Sequence, residues 1–285
     1  MFRGWRVRGG VVAAAQDDFR PLVVGIVNAT PDSFFDGGRH ATEDAAVAHG
    51  LQLASEGADL LDVGGESTRP GADPVAEDEE IRRTAGVVER LAASGLRVCI
   101  DTRRTEVARR ALEAGACAVN DLDRLRNPRM LELCALHGAG ACAMHMRGEP
   151  RSMQVDPGYV DVVEDVAEFL SEAAGRWELA GLPRDALALD PGVGFGKTPG
   201  HNLSLVAATS RLKDRFPDHP WYLGLSRKSW IRSLPGTAAG SDRLAGSLGG
   251  ALAAARLGCD VLRVHDVAAT LEALRAFRAC VEGVA

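Results

Sequence analysis

The sequence has no apolar run near the ~18 residues that a membrane-crossing helix requires; Asp, Gly or Arg interrupts each one first. It has no surplus of positive charge. With 33 basic against 39 acidic residues the formal net charge is −6, which gives no global pull toward nucleic acid or an anionic membrane, so any anion must be held by a local site. It has no C-x-x-C pair: Cys99, Cys117, Cys134, Cys142, Cys259 and Cys280 lie singly in apolar segments. Zinc and redox couples are excluded in favour of buried free thiols. No low-complexity linker divides the chain. Arg3, Arg6 and Arg8 precede a weak apolar stretch, but Gln16, Asp17 and Asp18 follow at once with no clear cleavage pattern, so a cytoplasmic protein is expected.

What is present is an alternation. Short β-rich runs take turns with Ala/Leu/Arg/Glu segments of helical spacing, the pattern of βαβ units around a parallel sheet. The strand candidates are Val23 to Asn28, Asp59 to Gly65, Arg97 to Thr102, Ala118 to Asp121, Ala141 to Met146, Ala186 to Asp190, Trp221 to Ser226 and Val261 to His265. Helices are predicted at Glu43 to Glu56, with Val47, Leu51, Ala54 and Ala58 on one face, and at Asp78 to Ala93, with Ile81, Val88 and Leu91 inward. Eight repeats in 285 residues favour an α/β fold closed as a single (β/α)8 TIM barrel over a doubly wound open sheet. Residues 1–20 read as an extension or first hairpin, and 21–285 as the barrel. The connection from Arg147 to Tyr159, rich in Pro, Gly and Met, reads as a lid or an active-site loop.

Nearly every strand candidate ends in a polar residue although its body is apolar. Asn28, Glu66, Asp101, Asn120, His145, Asp190, Arg227 with Lys228, and His265 stand at or just past these ends, which converge on one mouth in a closed barrel. Any one of them could be a helix cap or turn residue; eight such ends together exceed what capping explains. Asp101, Asn120 and Asp190 are rich in acceptors and suit a heterocycle with several N–H donors. Arg263, His265 and Lys228 suit phosphate, and Arg263 and His265, two apart on one strand, share a face. The stretch DPGVGFGKT, Asp190 to Thr198, imitates a phosphate loop, but Pro191 takes the place of the first glycine and has no N–H to offer. Its glycines are expected to make a tight turn.

GIVNATPDSFFDGG from Gly25 and DVGGESTRPG from Asp62 resemble the two signatures of the dihydropteroate synthase family. IDT ending at Thr102, NDL at Asn120, HMRGEPRSMQ from His145, LDPGVGFGK from Leu189, GLSRKSWI from Gly224 and LRVHD from Leu262 resemble its later motifs, in the family's order. The resemblance implies a pterin-binding barrel that condenses hydroxymethyl-dihydropterin diphosphate with 4-aminobenzoate in folate synthesis. It implies a cytoplasmic homodimer, a sulfonamide target, that uses magnesium. Carried over residue by residue, it gives Asp101, Asn120, Asp190 and Lys228 to the pterin, and Asn28, Arg263 and His265 to diphosphate, with Asn28 also a magnesium ligand. Phe34, Thr68, Arg69, Pro70 and the N–H of Ser229 fall to 4-aminobenzoate. Asp36, Lys228, Arg263 and His265 are implied to be catalytic.

Departures from the family pattern fall near the second substrate: Ala29 for Val, Phe35 for Ser, Trp230 for Met and Arg232 for Gly. They bear on the aminobenzoate pocket and on sulfonamide affinity, and leave the pterin and diphosphate positions intact. Two other functions fit the same barrel group. One is a methyltransferase acting on an intact reduced folate, which has no diphosphate to anchor and so no need of Arg263 and His265. The other is a pterin-binding paralogue without catalysis.

Overall fold

The computed structural model describes residues 4–14, 20–30, 39–67, 72–148, 152–238 and 240–283. A hairpin of β1 (Trp5–Val7) and antiparallel β2 (Gly10–Val12) comes first. Eight parallel strands follow among the described residues: β3 (Leu22–Asn28), β4 (Leu60–Gly64), β5 (Val98–Thr102), β6 (Ala118–Asp121), β7 (Gly140–Met144), β8 (Leu187–Asp190), β9 (Tyr222–Gly224) and β10 (Val261–Val264). They run in the order β8-β7-β6-β5-β4-β3-β10-β9, and a bridge between Leu189 and Trp221 joins the two ends of that row. The (β/α)8 barrel expected from the eight repeats is therefore the fold.

Helices cover the outside: α1 (Arg39–Ser55), α2 (Glu77–Ala93), α3 (Thr105–Glu113), α4 (Pro128–His137), α5 (Val162–Leu179), α6 (Pro199–Ala207), α7 (Thr209–Arg215), α8 (Leu244–Arg256) and α9 (Val267–Glu282). Their limits have local causes. The Asn127 side chain accepts from the Arg129 N–H ahead of α4, Pro128 takes the first position where no N–H is needed, and Gly138 ends the helix at φ 59°. Thr198 and His201 cap α6 reciprocally.

One predicted face is corrected. In α1 the buried residues are Ala46, Val47, Gly50 and Leu53, and Leu51 is 43% exposed. The helix turns Gly50 inward because it passes close to α2 there: a Cβ on Gly50 would lie 2.9 Å from Leu91. The thiols are corrected too. Five cysteines are buried, whereas Cys280 is exposed near the end of α9.

Alternation along the strands sorts side chains into two clusters. Val23, Val27, Leu61, Val63, Ile100, Val119, Leu189 and Leu223 face outward into the layer under the helices. Leu22, Val24, Leu60, Cys99, Ala118, Cys142, Ala188, Tyr222 and Val261 face inward and fill the lower barrel. The hairpin seals this lower end. Trp5 is fully buried, stands edge-on to Tyr222 at 6.1 Å, and donates its indole N–H to Ala186 O at 3.2 Å. Only the opposite end, at the strands' carboxyl termini, is left to hold a ligand.

Candidate active site

Two residues further along the same inward rows the chemistry changes. Leu60 gives way to Asp62, Cys99 to Asp101, Ala118 to Asn120, Ala188 to Asp190 and Val261 to Arg263. Because the strands are in register, Asp101 pairs with Asn120 and Met144 with Asp190, and these groups share one polar layer.

Arg263 organises the layer. Its Nε donates to Asp62 Oδ2 at 2.5 Å and its Nη2 to Asp101 Oδ2 at 2.7 Å, while Asn120 Nδ2 donates to Asp62 Oδ2 at 3.2 Å. Burial opposes the charge on Arg263, but the two carboxylates outweigh it and raise its pKa. The Oδ1 atoms of Asp62 and Asp101 are buried with no hydrogen-bond partner among the described residues. Such acceptors are costly unless something supplies N–H groups. Burial, only partly offset by Arg263, lifts the Asp101 carboxyl above the usual range, and the neighbouring Asp62 charge adds to the rise.

Asp190 and Lys228 make the second part. Asp190 Oδ1 accepts from the Gly192 N–H at 2.7 Å, and burial raises its pKa against the attraction of Lys228. Burial draws the Lys228 ammonium down to about 8, with Asp190 pulling the other way. Lys228 donates to the Val193 carbonyl and stands 4.4 Å from the centre of the Phe195 ring. Phe195 belongs to an apolar wall with Leu122, Met144, Met146 and Met153. Met144, in that wall, stands beside Asp190 in the strand register, so apolar and acceptor groups adjoin at this end of the barrel.

The remaining expected residues divide. Asn28, half-buried, ends β3 opposite Gly64. His265 meets Ser226 twice, its N–H donating to Oγ at 3.2 Å and its Nδ1 lying 3.0 Å from the same oxygen. Ser229 is exposed and opens a short 3-10 turn just past Lys228. Phe34, Phe35, Asp36, Thr68, Arg69 and Pro70 lie outside the described residues.

Three strand-end residues face away from the mouth. Glu66 pairs with Arg103 and Arg104. His145 is buried against Lys197 and stands edge-on to Phe169. Arg227, at φ 55°, turns outward to Asp266. These are structural contacts, so strand-end position alone overcounted the mouth. It also missed Asp62 and the Phe195 wall. Parity would have found Asp62, which is two residues past inward Leu60; nothing in the sequence marks where the Phe195 loop folds.

The family of pterin-binding enzymes matches residues 24–265. Dihydropteroate synthase of Escherichia coli (strain K12) is 44% identical over 260 residues, 91% of each chain, and that of Neisseria meningitidis serogroup C is 43% identical over 263 residues, covering 91% of this chain and 93% of the relative. The solved structure of the Xanthomonas albilineans dihydropteroate synthase with 4-aminobenzoic acid is 48% identical, with a TM-score of 0.85 over 93% of this chain and 94% of that one. The same enzyme in complex with 7,8-dihydropteroate gives 46% and 0.81 over 93% and 95%. The chain therefore belongs to the pterin-binding enzyme family and, within it, to the dihydropteroate synthases.

Proposed function

We propose that this chain joins hydroxymethyl-dihydropterin diphosphate to 4-aminobenzoate, releasing diphosphate and dihydropteroate. The observation that carries the reading is the pair of buried carboxylate oxygens of Asp62 and Asp101, without a hydrogen-bond partner among the described residues, in one layer with Asn120 and Asp190. A reduced pterin has ring N–H and amino donors on one edge and flat faces to lie against Phe195 and Met146. The relatives solved with 4-aminobenzoic acid and with 7,8-dihydropteroate support the two ends of the reaction.

In this reading Asp101, Asn120 and Asp190 grip the pterin edge and Lys228 closes over it. Arg263, His265 and Asn28 face the diphosphate. The C–O bond to the methylene breaks, its electron pair leaving with diphosphate, and the reduced pterin spreads the remaining positive charge. Fixed cations near the leaving oxygens favour that separation. The amine nitrogen of 4-aminobenzoate then bonds to the methylene and gives up a proton. Asp36 takes part in catalysis, and Phe34, Thr68, Arg69, Pro70 and the Ser229 N–H receive the aminobenzoate. Among the described residues no group of three or more His, Cys, Asp or Glu could hold a metal. The amide oxygen of Asn28, at the end of β3, would suit a magnesium ion bound mainly by phosphate oxygens and water, adding one neutral oxygen. When bound, it would neutralise charge on diphosphate.

The reading extends to a cytoplasmic protein, which the free thiols suit, and to a homodimer, which the family resemblance implies. Among the described residues no helix is long and apolar enough to cross a membrane. Diphosphate release, measured with and without 4-aminobenzoate, tests the reaction. Release together with dihydropteroate supports it, and release of neither product from a folded protein overturns it.

A further inference from the structure

Lys197 is a buried amine that the reaction above does not use; burial pushes its pKa well below the ordinary lysine value, against the pull of Asp190. It is 2% exposed and lies in the loop between β8 and α6. Its Nζ lies close to three polar atoms, Gly192 O at 2.9 Å, Phe195 O at 3.0 Å and His145 Nδ1 at 2.9 Å, with His145 O further off at 3.5 Å. Two of the close partners belong to the loop and one to the residue that follows β7. The Nζ group thus ties a loop of the mouth to a neighbouring strand.

The loop needs a tie. Gly192, Gly194 and Gly196 have φ of 67°, 88° and 60°, so the chain turns through left-handed conformations three times in five residues. It also passes close to the end of β7: a Cβ on Gly192 would lie 1.7 Å from His145 O, and one on Gly196 2.4 Å from Arg147 O. What the loop carries is the pterin end of the site. Its Gly192 N–H bonds Asp190, its Val193 carbonyl accepts from Lys228, and its Phe195 ring lies under the Lys228 ammonium.

We propose that Lys197, acting with His145, is the positioning residue for the pterin subsite: it fixes the loop that sets Asp190, Lys228 and Phe195, without touching substrate. The proposal rests on reading the mouth as a pterin site. His145 suits its part. Burial holds it unprotonated, its pKa drawn down to about 2, so one ring nitrogen keeps a lone pair, and in the Nε2–H tautomer that is Nδ1, which faces the lysine amine. Phe169, edge-on at 4.6 Å, fixes the ring.

The test separates this tie from packing. Lys197→Met keeps length and loses the donors. His145→Phe keeps a ring against Phe169 and loses the acceptor; His145→Asn loses the ring and keeps an acceptor at the place of Nδ1. Binding of a diphosphate-free pterin analogue is measured by calorimetry, and KM is measured for both substrates. Lys197→Met and His145→Phe are expected to weaken analogue binding by about tenfold or more, the range for leaving a buried hydrogen-bonding group unsatisfied. KM for the pterin substrate should rise in step, and KM for 4-aminobenzoate should move far less. His145→Asn should stay close to the parent. If Lys197→Met does not fold, the His145 pair decides. The proposal is overturned if folded Lys197→Met binds the analogue like the parent, or if His145→Asn is hurt more than His145→Phe. If the parent itself binds no pterin analogue, the pterin reading of the mouth falls, and the proposal falls with it.

Discussion

The lower and upper halves of the barrel interior are built by the same strands two residues apart, and they follow opposite rules. Below, Leu60, Cys99, Ala118, Ala188 and Val261 are sealed by Trp5 and Tyr222. Above, Asp62, Asp101, Asn120, Asp190 and Arg263 form a layer in which Asp62 Oδ1 and Asp101 Oδ1 have no partner among the described residues. The lower half gains stability from burial. The upper half carries desolvated charge that Arg263 offsets only in part and that a ligand's donors would relieve further, a cost typical of a site kept for binding. Variants of the base should therefore change stability and spare affinity, and variants of the mouth should do the reverse.

The largest expected effect is that of removing the magnesium ion proposed to accompany diphosphate. Exhaustive chelation should abolish diphosphate release while pterin-analogue binding persists, and full turnover after chelation would remove the role given to Asn28. Next is Arg263→Met, which leaves Asp62 and Asp101 without the guanidinium that bonds both. Breaking such a buried pair is expected to cost about 3–5 kcal/mol of stability. Loss of a fixed charge at the leaving group should lower kcat by about 10²–10³-fold. Arg263 holds the upper layer together as well as facing the ligand, so both denaturant melts and kinetics should respond. Trp5→Ala tests the base alone. It should cost about 3–5 kcal/mol in denaturant melts with both KM values unchanged.

Asp101→Asn is the sharper contrast, because its two effects have opposite signs. Burial raises the folded-state pKa of Asp101, so the folded protein holds a proton that the unfolded chain releases. Stability from that proton is present below the ordinary carboxylate range and is lost as pH rises through the folded value. Asn cannot ionise. The variant should flatten this slope and be about 1 kcal/mol more stable near neutral pH, yet bind the pterin analogue at least tenfold more weakly. The smallest effect is on the alkaline side. Lys228 is lowered to about 8 by burial, so kcat/KM for the pterin substrate should fall as pH rises through that value. Lys228→Met should remove this alkaline limb from the profile.

The barrel was legible in the sequence because buried parallel strands read as short apolar runs, separated here by helical spacing. Each of the eight candidate runs overlaps an observed strand. Side-chain direction was less legible. Glu66, His145 and Arg227 stand at strand ends, but their partners Arg104, Lys197 and Asp266 are set by packing between distant segments. Asp62 was hidden in an apolar run whose parity matters more than its composition. The wall around Phe195 depends on three positive-φ glycines and a buried lysine, and the motif suggested only a tight turn. The face of α1 was misjudged because Gly50, with no side chain to mark it, is where the helix touches α2.

The contrast between the halves is tested most directly by calorimetric titration of a diphosphate-free pterin into the parent, Trp5→Ala and Asp101→Asn, under conditions where all three are folded. The account predicts equal affinity for the parent and Trp5→Ala, and at least tenfold weaker binding for Asp101→Asn, the scale of a lost charged hydrogen bond. Parent-like binding by Asp101→Asn, or equal weakening in both variants, would contradict it.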